Sequence, residues 1–428
     1  MNILITGGQV IDPGLMNDHL DIYIADGKIK EIRPPTAADN VLENFGQIID
    51  ASNKIVTPGL IDMHVHLREP GYEYKETIAS GCKAAACSGF TSICPMPNTN
   101  PVNDSPDVTK YIIDKSIAAH SARIYPVAAI STGLNGQALC DYSALKEAGA
   151  VAVTDDGFPV KNSLLMRRAM ENAKKAGLPI ISHCEDLDLA GDGVMNEGNT
   201  AREMGLTGIP NAAESIMVMR DIALCALTEA PLHIAHVSTA ESVRVIREAK
   251  KSGLPVTAET APHYFTLTDA DVETYRTDAK MNPPLRSAID REAVREGLAD
   301  GTIDVIATDH APHSKDEKNT DFIHAPNGII GLETSVPLSL KLVETGILSM
   351  EALLYKMVSA PSNILGLKSG LKAGNPADIT IIDPAADYTI DASRFRSLSS
   401  NTPFDGRQVR GRAVLTMVEG VCVYNQMT

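Results

Sequence analysis

No apolar run in this 428-residue sequence reaches the ~18 positions that a bilayer-spanning helix needs. That sets a transmembrane protein aside. Basic residues are in deficit, 38 against 54 acidic, for a net charge of −16. The charge is dispersed, with no acidic or basic tail. Such a surface repels phosphate backbones and speaks against a nucleic-acid partner. The seven cysteines include no CxxC pair. An odd number of thiols in mostly apolar surroundings reads as reduced side chains in a reducing compartment. The opening Met1-Asn2-Ile3-Leu4-Ile5-Thr6-Gly7-Gly8 lacks a basic region followed by an apolar core and a cleavage site. No signal peptide is read, and a cytoplasmic location is expected.

What is present is enough apolar material, 44% of residues, for a sizeable core. The length exceeds one ordinary domain and fits a large barrel with something attached. The first ~55 residues read as short strands between turns. They are Asn2 to Ile5, Asp21 to Ile24 and Lys30 to Ile32, with Asp26-Gly27 as a hairpin signal. The C-terminal end has the same texture, with Asp378 to Asp383, Val414 to Val418 and Val421 to Val423. Neither piece can bury a core alone. Residues 1–55 and 368–428 are therefore expected to form one composite β-sandwich, leaving 56–367 as a second unit.

That second unit alternates strand and helix. Its apolar runs are Ile55 to Met63, Thr91 to Cys94, Ile124 to Ile130, Val151 to Val153, Pro179 to Ile181, Leu232 to Ala235, Pro255 to Ala258 and Ile303 to Ala307. Helical composition follows each, as in Tyr74 to Ser88, Ser163 to Ala176, Ala240 to Ser252 and Asp290 to Leu298. Eight such units mean a parallel sheet and close a (β/α)8 barrel of the TIM type. A doubly wound open sheet is the alternative.

In a barrel the C-terminal strand ends carry the chemistry. The first run continues into Asp62-Met63-His64-Val65-His66, which puts His64 and His66 on one face of a strand. A lone His-x-His is weak. The other runs, however, end in Thr154-Asp155-Asp156-Gly157, Ser182-His183-Cys184-Glu185, His233-Ile234-Ala235-His236 and Thr308-Asp309-His310-Ala311-Pro312-His313. Seven of the eleven histidines stand at or just beyond strand ends, and satisfied core histidines would have to produce that coincidence five times. Imidazole and carboxylate suit zinc and similar divalent ions. Four histidines and two aspartates exceed the needs of one catalytic ion, and a carboxylate bridging two ions would use them all. The chemistry expected is hydrolysis at an unactivated carbonyl. Arg68 reads as a carboxylate clamp or a surface ion pair. Asn98 and Asn282 read as polar contacts or turn residues beside proline. His313 reads as a contact or a loop residue.

The motifs resemble those of the dihydroorotases within the amidohydrolase superfamily. The resemblance lies in Asp62-Met63-His64-Val65-His66-Leu67-Arg68-Glu69-Pro70-Gly71, Met96-Pro97-Asn98-Thr99, Asn282-Pro283-Pro284-Leu285-Arg286 and Ala307 to His313. It continues through Pro326-Asn327-Gly328, Gly331-Leu332-Glu333 and Lys372 to Ile379, and so covers nearly the whole chain. It implies that His64 and His66 hold one metal, that His183 and His236 hold another, and that Asp309 completes the first site as general base and acid. It implies that Arg68, Asn98 and His313 grip a substrate carboxylate and that Asn282 touches a pyrimidine ring. Many relatives bridge the metals with a carboxylated lysine, but no lysine occupies the fourth run here. The resemblance is therefore to the bacterial class in which aspartate bridges, with Asp156 assigned and Asp155 the fallback.

The implied reaction is reversible cyclisation of carbamoyl aspartate to dihydroorotate, the third step of pyrimidine biosynthesis. A metal-held hydroxide would attack the ring amide. Zinc, one or two ions with two favoured, is the implied cofactor. A homodimer is implied too, with association with aspartate transcarbamoylase left open. The rivals are a hydantoinase or allantoinase, a catalytically dead structural partner and a nucleobase deaminase. The Arg68 clamp, the missing lysine and the intact ligand set speak against the first two.

Overall fold

Eight parallel strands form where the apolar runs fall, because a strand covered on both faces needs a nearly continuous apolar sequence. The computed structural model describes residues 2–35 and 45–427. The stretch 36–44, part of the expected terminal unit, lies outside them. The strands are β1 (Leu60–Val65), β2 (Phe90–Pro95), β3 (Arg123–Ile124, resumed at Val127–Ala129), β4 (Ala152–Thr154), β5 (Ile180–Ser182), β6 (Leu232–Ile234), β7 (Val256–Thr260) and β8 (Val305–Ile306). Each pairs in parallel with the next, except where Pro126, which has no N–H to donate, interrupts β3. The ring closes just past β8, where Val65 and His310 form a parallel bridge and His66 N donates to His310 O at 2.7 Å. The fold is a (β/α)8 barrel with a β-sandwich.

The intervening helices are built as their sequences suggest. In Ala240–Lys251, the Thr239 side chain accepts from Ser242 N as an N-cap, and Val243, Ile246 and Ala249 turn one buried stripe to the barrel. No helix among the described residues is long and apolar enough to cross a membrane.

The run read as Ile55 to Met63 is two strands, not one. Ile55–Pro58 pairs with Ile379–Thr389 and Gln9–Asp12, and only Leu60–Val65 enters the barrel. The chain changes sheets at Gly59, where a Cβ would lie 2.0 Å from Thr91 Oγ1. An unbroken apolar run carries no period that marks such a division.

Two further sheets stand beside the barrel, and the larger draws on both ends of the chain. One orders Lys28–Arg33, Asp21–Ala25, Ile3–Thr6 and Gln47–Asp50; the other orders Val421–Asn425, Gln408–Val418, Ile379–Thr389, Ile55–Pro58, Gln9–Asp12 and Met16–His19. Asp26 and Gly27, both at positive φ, make the tight hairpin between Asp21–Ala25 and Lys28–Arg33. Ile5, Ile22 and Ile24 from one end and Ile379, Leu415 and Met417 from the other share one core. Burying each such side chain contributes ~1.5–3 kcal/mol, which neither end could collect alone.

Candidate metal centre

Strand alternation puts His64 and His66 on the same side of β1, and barrel closure brings the ends of β4, β5, β6 and β8 around them. Asp156 lies at the centre. Its Oδ1 is 3.4 Å from His64 Nε2, 3.5 Å from His183 Nδ1 and 3.5 Å from His236 Nε2, and its Oδ2 is 3.5 Å from His66 Nε2. Asp309 Oδ1 faces the first pair only, 3.2 Å from His66 Nε2 and 3.6 Å from His64 Nε2. His183 Nδ1 and His236 Nε2 are 2.8 Å apart. The ligand atoms thus form two groups that share Asp156: His64, His66 and Asp156, and Asp156, His183 and His236. All six side chains are buried. His236 and Asp309 adopt positive φ, as does Arg68 nearby. Such backbone is held only where the surroundings impose it.

The donors fit divalent ions. His64 Nε2 and Asp156 Oδ1 are buried and have no hydrogen-bond partner among the described residues, an arrangement that is costly unless a cation takes up the lone pairs. Burial alone would raise the Asp156 carboxyl, but the His64 charge and the contacts of His183 and His236 outweigh it and hold the group well below the usual range. Burial likewise disfavours a charged His183, yet Asp156 and Glu185 beside it push its imidazole up to about 10. A bound cation takes the place of those protons, so uptake releases them.

Behind the histidines stands a set of orienting groups. His64 Nδ1 is 2.6 Å from Glu259 Oε1, and Glu259 Oε2 is 3.3 Å from His233 Nε2. His66 Nδ1–H donates to Asn98 Oδ1 at 2.9 Å. His183 Nε2–H donates to Glu185 Oε2 at 3.2 Å, and the same oxygen accepts from Asn282 Nδ2 at 2.9 Å. Each bond fixes one tautomer and turns the other ring nitrogen inward. Asp155 faces away: it accepts from Ile130 N at 2.8 Å, Ser131 N at 3.0 Å and the Ser131 hydroxyl, pinning the loop after β3. Of the two neighbours, Asp156 is the one in the cluster.

The residues expected to read substrate lie at the mouth. Arg68 Nε donates to Pro312 O at 3.1 Å, and Nη2 is 3.3 Å from His313 Nε2. No carboxylate among the described residues pairs with Arg68, so the surface ion pair is not what is seen. Burial pulls its guanidinium down to about 10 against the pull of Asp309 and Asp156, leaving it a cation at neutral pH. His313 Nε2–H donates to Asn327 O at 2.8 Å. Burial, then the charges of Arg68, Lys75 and Lys318, push its imidazole down to about 2, so it is neutral. Asn98 and Asn282 each have one amide atom committed to the orienting set.

Glu259 and Glu185 were not assigned a role from sequence. Both stand at strand ends, where the rule applied to histidine and aspartate would have found them. His263 was also missed. It is buried next to the cluster, in the short helix Pro262–Thr266, and burial pushes its imidazole down to about 4. The polar stretch 314–327 shows no period, yet it contains a helix, Lys315–Lys318, closed by a reciprocal Ser314–Glu317 cap. Lys318 Nζ anchors it to Thr277 O at 2.9 Å, Pro326 O at 2.9 Å and Lys280 O at 3.3 Å. A single helical turn is too short to leave a period.

A family model described as dihydro-orotase-like matches residues 53–242. The dihydroorotase of Desulforapulum autotrophicum is 57% identical, with 100% of both chains covered. That of Geobacter metallireducens is 56% identical, again over 100% of both. Among solved structures, the L-hydantoinase (dihydropyrimidinase) of Arthrobacter aurescens superposes with a TM-score of 0.88 at 27% identity, covering 100% of this chain and 96% of that one. The dihydropyrimidinase of Brevibacillus agri gives 0.84 at 24% identity, over 99% and 95%.

Proposed function

This chain belongs to the dihydroorotase family, and from that premise we propose that its strand-end cluster is the metal centre that interconverts N-carbamoyl-L-aspartate and (S)-dihydroorotate. The observation that carries the reading is Asp156 set between two histidine pairs, with Asp309 facing one of them. His64, His66, Asp156 and Asp309 would hold one divalent ion, and Asp156, His183 and His236 a second. Zinc is the ion proposed, two per subunit. When bound, such ions polarise a carbonyl and bring the pKa of water towards ~7.

The chain's own residues do the rest. Arg68 offers its guanidinium fork to the substrate carboxylate. His313, being neutral, packs beside that fork without adding a competing charge. The free amide nitrogen of Asn98 joins Arg68 and His313 at that carboxylate, and the free amide oxygen of Asn282 faces the ring. Asp309 takes the proton of the attacking water and delivers it to the departing ring nitrogen. In the closing direction it returns that proton to the leaving oxygen. Cyclisation consumes a proton, so acid favours the ring and alkali opens it. Glu259, Asn98 and Glu185 keep His64, His66 and His183 in the tautomers that ligation needs.

The organisation proposed is a supporting unit of the N-terminal residues with 368–428 and a catalytic barrel up to residue 367, with the division expected between 55 and 56 moved to Gly59 because Ile55–Pro58 stays in the supporting sheet. The protein acts as a cytoplasmic homodimer, alone or in association with aspartate transcarbamoylase. The test is turnover of both substrates by the purified protein. Ring opening of dihydroorotate and ring closure of carbamoyl aspartate are expected, with kcat lowered about a thousandfold in Asp309→Asn. Turnover of hydantoin or allantoin without dihydroorotate would contradict the reading.

A further inference from the structure

Away from the metal centre, the helix Leu332–Glu344 and the long strands Ile379–Thr389 and Gln408–Val418 border a second cavity of about 540 Å³. None of the six clustered ligands lines it. Its walls include Tyr388, Tyr424, Arg394, Arg396 and Arg412. The Arg412 guanidinium lies 5.5 Å from the centre of the Tyr388 ring, and its Nε is buried with no hydrogen-bond partner among the described residues.

The three arginines differ from several on the outer helices. On the outer helices, Arg167, Arg244, Arg247 and Arg291 each pair with a carboxylate. Among the described residues, no carboxylate lies within ion-pair distance of Arg394, Arg396 or Arg412. The acids nearby are engaged elsewhere. Glu333 accepts from Arg396 N, Ser397 N and the Cys87 thiol, and Asp391 accepts from Ser393 N and Oγ. Three guanidiniums against the two lining carboxylates leave one positive charge in excess, against the net charge of −16 of the whole chain. A neighbouring cavity of about 580 Å³ makes the contrast. Three of its four basic side chains are paired, Lys341 with Glu344, Arg295 with Glu292 and Arg410 with Asp387, and the fourth, Arg407, lies 5.6 Å from the centre of the Phe404 ring.

We infer that the cavity bordered by Arg394, Arg396, Arg412, Tyr388 and Tyr424 is a binding site for a phosphorylated ligand carrying a flat ring. Guanidinium forks match phosphate oxygens, and a ring packs against tyrosine faces. The volume lies in the range of small-molecule sites.

The site also has a contiguous route to the catalytic loops. Just past Arg396, the Ser397 hydroxyl donates to Glu76, Leu398 N donates to Glu76 Oε1 at 3.2 Å, and Ser399 Oγ donates to Lys75 O at 2.8 Å. Glu76 Oε2 is 3.4 Å from Nε2 of His310, the residue after Asp309. Lys75 Nζ is 3.4 Å from His313 Nδ1. A ligand that draws on Arg396 pulls on the segment holding both.

Calorimetry with phenyl phosphate, with orotate saturating the catalytic site, tests the binding. One saturable event per chain is expected, at least tenfold tighter than for inorganic phosphate. Arg396→Ala combined with Arg412→Gln should weaken it at least tenfold, whereas Arg410→Ala, from the paired cavity, should not. Arg396→Glu, on an exposed loop, repeats the test without touching a strand. No saturable heat, or equal affinity in the Arg396→Glu protein, would overturn the site. Equal affinity for inorganic phosphate would overturn the ring contact. Phenyl phosphate should also change the KM or kcat for dihydroorotate at least twofold in the unmodified protein and not in Arg396→Glu; unchanged kinetics would overturn the link to the catalytic loops.

Discussion

The two halves of the metal cluster are built differently. His64 and His66 come from one strand, face two carboxylates, Asp156 and Asp309, and are oriented by Glu259 and Asn98. His183 and His236 come from two strands and have only Asp156 between them and the first pair. Glu185 alone backs His183, and Asn282 holds Glu185 in turn. A site with two anionic donors attracts a dication more strongly than a site with one. The first half is therefore expected to be the tighter site, and it holds Asp309, the group proposed to transfer the proton. The second is expected to be the more easily emptied, and its orienting group Glu185 is the one held by Asn282, proposed above to face the substrate.

The sharpest break is at Arg68, which leans on the loop carrying the first half. Arg68→Lys keeps the charge and loses the fork. Catalytic efficiency with dihydroorotate should fall by roughly two orders of magnitude, about 2.7 kcal/mol. Near-normal efficiency would remove the carboxylate clamp. The orienting glutamates come next. Glu259→Gln should weaken metal binding at the first site and Glu185→Gln at the second, each by about 10- to 100-fold. Metal titration of the two variants checks this, and an effect on the same site from both would erase the distinction between the halves. The smallest effect is expected in 314–327, which is pinned by Lys318 but borders His313. If it closes over bound substrate, amide exchange there should slow with an orotate-like ligand. Unchanged exchange at saturation would make it an ordinary surface loop.

Most of the cluster was legible because a strand has a period of two and a barrel gathers its strand ends. His64, His66, His183, His236 and Asp309 each sit where an apolar run stops. Asp155 and Asp156 were harder. Adjacent strand residues point apart, so only one faces inward, but a three-residue β4 gives no long alternation to say which. Glu259 ends its run as plainly as His64, but a carboxylate that backs an imidazole leaves no mark in sequence to set it apart from one that faces solvent. The sheet change at Gly59 and the single helical turn Lys315–Lys318 left no trace, since neither alters a periodicity. Asn98 and Asn282 show a limit of another kind: sequence offers a polar side chain at a strand end or loop, and only geometry shows that half of one amide meets His66 and half of the other meets Glu185.

The most direct measurement is the metal content of the protein in which His183 and His236 are both alanine, set beside that of the unmodified chain after identical dialysis. The account predicts that the double variant loses the second ion and keeps the first on His64, His66, Asp156 and Asp309. Full retention of metal would contradict the two-site centre.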